Sequence, residues 1–158
     1  IATVPDALLA DVETRLILLG EVGWPADVGG PTAAATISDA VAEFGLRPTG
    51  ELRALWERYG YLHRTGFSVP GFFPIGVEDD EMSAGSLGAV HRRVGGALPR
   101  GAVVVGLDGE DWQVPERAHP YILLGRTVFG FDLRSGVVSF EVGSLREFLM
   151  EEVLSLPD

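Results

Sequence analysis

The chain has 158 residues, a net charge of −11, twelve arginines, no lysine and no cysteine. That length fits one domain with room for a sizeable core, and the missing cysteines exclude disulfides and Cys-based zinc sites, as suits a reducing cytoplasm. So acidic a surface argues against nucleic acid and anionic membrane as partners, and either favours basic proteins or serves solubility alone.

Pro5 to Leu19 sets Leu8, Leu9, Val12, Leu16 and Leu19 at helical spacing, with Pro5 tolerated in the first turn. Leu16 to Leu19 is the longest apolar cluster, far short of a membrane span, and nothing before it reads as a secretory signal. Gly20 to Pro31 is a Gly- and Pro-rich loop held by Trp24. Thr32 to Phe44 reads as a second helix stopped by Gly45. Thr49 caps a third helix that runs to Tyr59 and stops at Gly60, with Leu52, Leu55, Trp56 and Tyr59 as a core stripe.

From Tyr61 the pattern changes to short apolar runs broken by Gly and Pro, starting with Phe72 to Gly76. Ser83 to Val94 holds a short helix, weakened by Gly85 and Gly88. Ala102 to Gly106 is a buried strand by its β-branched content, and Tyr121 to Leu124 is another. Val128, Phe129 and Phe131 precede an Arg134-Ser135-Gly136 turn, and Val137, Val138, Phe140 and Val142 follow it, which predicts a hairpin. Ser144 and Glu147 form a capping box that opens a last helix. Helices first, sheet second and a helix last is an α+β order.

Two acidic segments are the candidate partner-binding residues. Glu78, Asp79, Asp80 and Glu81 are four consecutive like charges, which need solvent, a cation or a basic partner. They lack the ligand spacing of a calcium loop. Asp108, Glu110, Asp111 and Trp112 leave a strand as a second acidic loop, whose Trp either folds onto the core or serves an interface. Two such loops at one end of the sheet would make a single negative patch for a basic protein, with Trp112 or Phe72 as the apolar contact. His63, His91 and His119 show no metal-ligand spacing, and there is no nucleophile elbow or phosphate loop. No catalytic, metal or cofactor-binding residue is assigned.

Several segments together resemble the SUKH superfamily, the Smi/Knr-like domains. They are GELRALWERYG, GFFPIG, VVVGLDGEDW, FGFDLRSGVVSFE and the terminal SLREFL, spread over Thr49 to Leu156. The resemblance implies an α+β fold with a central, mainly antiparallel sheet and helices packed on one face. Residues 1–158 would then be a single SUKH-like domain, with 1–45 a helical N-terminal extension and 46–158 the core. It also implies a cytoplasmic, non-enzymatic immunity protein without cofactors, which binds and neutralises a cognate bacterial toxin, often a nuclease or deaminase. Two other classes compete: an intracellular interaction scaffold or regulatory module of the same superfamily, and a small metal-dependent hydrolase using the carboxylates near residue 80.

Overall fold

The computed structural model describes residues 4–64, 67–72, 86–108 and 119–157. Among the described residues seven strands form one sheet in sequence order, each antiparallel to its neighbour. They are β1 (Asp27–Val28), β2 (Leu62–Arg64), β3 (Phe67–Val69), β4 (Val103–Asp108), β5 (His119–Leu124), β6 (Thr127–Asp132) and β7 (Val137–Gly143). An antiparallel order of this kind needs no crossover helix, as the α+β pattern implied. The first three strands were missed because two or three residues are too few to show an alternating pattern. Phe72, read as the start of a short apolar run, lies outside any strand, and 73–76 lie outside the described residues.

Three helices precede most of the sheet: α1 (Val4–Glu21), α2 (Ala34–Phe44) and α3 (Gly50–Tyr59). Their buried residues, among them Leu8, Val12, Ile37, Leu52, Leu55 and Trp56, join Val103, Val105, Tyr121 and Leu123 of the sheet in one cluster. Each large apolar side chain so buried contributes about 2 kcal/mol. Thr49 Oγ1 accepts the Leu52 N–H at 3.2 Å, so the predicted cap of α3 is present. Trp56 donates its indole N–H to the Pro70 carbonyl at 3.2 Å, which satisfies the one polar atom of a buried ring.

The chain closes with α5 (Leu145–Phe148) and a π turn, Leu149–Val153. Ser144 and Glu147 make the expected capping box. The carbonyls at the other end are satisfied from afar. Arg15 of α1 donates to Met150 and Leu154 at 3.0 and 2.8 Å, and Arg64 of β2 to Val153 and Ser155 at 2.9 and 2.8 Å. Residues 4–45 therefore reach both the main core and the closing helical turn. Among the described residues no helix is long and apolar enough to cross a membrane.

The expectation that helices cover one face alone is corrected by α4 (Leu87–Val94), which starts at Ser86, whose Oγ accepts the Ala89 N–H at 3.2 Å. Val90 and Val94 pack against Val104, Leu107, Ile122 and Phe131, which point away from the first cluster. The physical reason lies in β4, where Val103 to Leu107 are all buried, so both faces need a cover. Strand β3 pairs with β4 only at Leu107 and Asp108. Near the start of β4, His91 takes the place of a strand, its Nε2 accepting the Val104 N–H at 3.1 Å.

Candidate functional site: an aromatic platform at the end of the sheet

Register decides which side chains meet. Asp108 faces His119 across β4 and β5, and Gly106 faces Tyr121 after a bulge between Val104 and Gly106. Tyr121 faces Gly130 on β6, and Gly130 faces Phe140 on β7. Residues two apart along a strand share a face. Asp108, His119, Tyr121 and Phe140 thus stand together on the face that carries α1, α3 and α5.

Gly130 makes this arrangement possible. A Cβ there would lie 2.5 Å from Phe140 Cε1, so the ring rests on the bare backbone of the neighbouring strand. Phe140 is 46% exposed and His119 is exposed beside it. The two rings are nearly parallel, 6° apart with centroids at 5.9 Å. Tyr121 meets both edge-on, at 5.5 Å from His119 and 6.0 Å from Phe140. Beneath it lie Phe148 and Phe67, with centroids 5.1 and 5.6 Å from the Tyr121 ring. The platform is therefore a surface extension of the core, held in place by packed aromatics.

Carboxylates set its electrostatics. The Tyr121 hydroxyl is pushed up to about 12, first by burial and then by the nearby charges of Asp108 and Glu152. It stays protonated at any physiological pH and can donate a hydrogen bond. Arg64, on β2, is occupied by the Val153 and Ser155 carbonyls. An exposed aromatic surface with acidic neighbours suits a cationic group of a partner.

Of the residues expected to bind a partner, Asp108 stands in this site. Glu78, Asp79, Asp80, Glu81, Glu110, Asp111 and Trp112 lie outside the described residues. Phe72 packs edge-on against Trp56 at 5.5 Å, at the rim of the main core. His119, Tyr121, Phe140 and Glu152 were not anticipated. A glycine inside an apolar strand was the available signal, since it marks close approach by another group.

A concavity of about 380 Å³ lies where α2 and α4 end, lined by Glu43, Phe44, His91, Gly95, Leu98 and Arg100 among others. His91 is committed there to Val104, and burial lowers it to about 4, so it is neutral. Among the described residues no group of three His, Asp or Glu could hold a metal ion. No family model, no curated protein and no solved structure matches the chain.

Proposed function

We propose that this protein is a non-enzymatic, SUKH-like immunity protein of the cytoplasm. It neutralises a cognate toxin, a nuclease or deaminase with a basic surface, by stoichiometric binding. The sequence motifs supply the immunity role, and the platform supplies the surface. The single observation that carries the reading is the half-exposed Phe140 stacked with His119 beside Asp108. Exposed aromatics rooted in a rigid core are typical binding hot spots, and carboxylates around them steer a cationic partner into place.

The test is affinity capture with the full chain, from bacteria expressing it natively, at low and high salt. A basic nuclease or deaminase recovered at one-to-one stoichiometry, and lost with Asp108→Arg plus Glu152→Arg, is the expected result. Capture unaffected by the double variant removes the platform from the mechanism. Capture of a housekeeping protein instead favours the scaffold class.

A further inference from the structure

Resting on that reading, we infer that the His119–Phe140 platform is a receptor for one arginine side chain of the partner protein, its guanidinium lying flat on the exposed rings with Asp108 beside it. Two observations and the chemistry of guanidinium select this occupant. The two exposed rings are near-parallel, so they offer a planar group one common orientation. Guanidinium is planar, weakly hydrated and stacks on aromatic faces, whereas ammonium is compact and strongly hydrated. The Asp108 carboxylate, across from His119, matches the donor fork of guanidinium, which makes paired hydrogen bonds to an acid group.

Two arginines among the described residues are already engaged elsewhere. Arg64 is held by two backbone carbonyls, and Arg146 by Asp11 at 2.7 Å. The platform is also pre-formed: Tyr121 is 6% exposed and wedged against Phe67 and Phe148, so little ordering is needed on binding. Edge pairing by a partner strand is the weaker use of this region. The β6–β7 register shifts twice, between Val128 and Phe129 and between Gly130 and Phe131, and such bulges blunt an edge.

The experiment uses the full chain and three short peptides of identical length, each with a single central arginine, lysine or citrulline. Ring resonances of His119 and Phe140 are followed by NMR through the titration. Saturable shifts with the arginine peptide, at least threefold weaker binding of lysine and no response to citrulline are expected. Phe140→Leu and Asp108→Asn, each checked for unchanged thermal unfolding, should weaken the arginine peptide severalfold. Equal binding of lysine and arginine, or an arginine response untouched by both variants, overturns the inference. Because the peptides need no toxin, the two readings fail separately. A silent arginine titration beside successful capture removes the arginine receptor alone.

Discussion

His91 and His119 both lie against β4, the first beside its opening half and the second across from its last residue. His91 is buried, and its Nε2 closes a backbone hydrogen bond that β3 is too short to make. His119 is exposed, its side chain makes no hydrogen bond among the described residues, and its ring stacks on Phe140. The same side chain is structural where the strand lacks a neighbour and available for recognition where the strand pairing is complete. What separates them is the hydrogen-bond ladder around each, since both flank the same strand.

The contrast is broken most strongly at His91. His91→Ala removes the acceptor for a buried N–H and leaves a cavity, and should cost about 3 kcal/mol of unfolding free energy. His91→Gln, which keeps an acceptor oxygen, should recover part of that loss. Urea unfolding of the three proteins at pH 7.5 measures both.

Acid should sharpen the difference further. The folded His91 titrates at about 4 and the unfolded one at the ordinary 6.5, so between these values the unfolded chain binds the extra proton. The contribution of His91 is complete above pH 6.5 and lost as pH falls to 4, by at most about 3 kcal/mol. Glu43 and Arg100 line the same cleft, and Arg92 lies over Phe44. Carboxylates elsewhere also titrate in this window, so the readout is the pH slope of the unmutated protein minus that of His91→Gln. Parallel slopes would remove His91 from the acid response.

Much of the frame was readable because it depends on neighbours in sequence. The α3 stripe with its Thr49 cap, the β6–β7 hairpin and the Ser144–Glu147 box are all set within a few residues. The short strands β1 to β3 were not, since their identity comes from pairing across the sheet. Placing α4 on the second face required knowing that Val104, Leu107, Ile122 and Phe131 turn to that side together, which the pairing of strands far apart in sequence decides. The platform was hidden for the same reason. Asp108 was marked as charge leaving a strand, but its meeting with His119 depends on register, and Phe140 read simply as a hairpin residue.

Gly130 offers a gentler way to disturb the His119 side. Gly130→Ala places a methyl group 2.5 Å from where Phe140 Cε1 now sits, which must lift the ring. Phe140 is at the surface and can swing outward, so the loss should be only about 1 kcal/mol. The His119 and Phe140 ring resonances should move even so, because their stacking is gone. A variant whose ring resonances match those of the unmutated protein would show that Phe140 does not lie on Gly130.

The smallest expected change in stability is at His119 itself. His119→Ala removes an exposed ring whose contacts are with Phe140 and with the edge of Tyr121. The buried aromatics Phe67, Tyr121 and Phe148 keep one another in place without it. The unfolding free energy should therefore stay within about 0.5 kcal/mol, against about 3 kcal/mol for His91→Ala. Affinity for the arginine peptide should fall severalfold in the same variant, because one of the two exposed rings is gone. Equal destabilisation by the two alanine variants would mean that His119 is as structural as His91, and the division between a committed and a recognising histidine would fall.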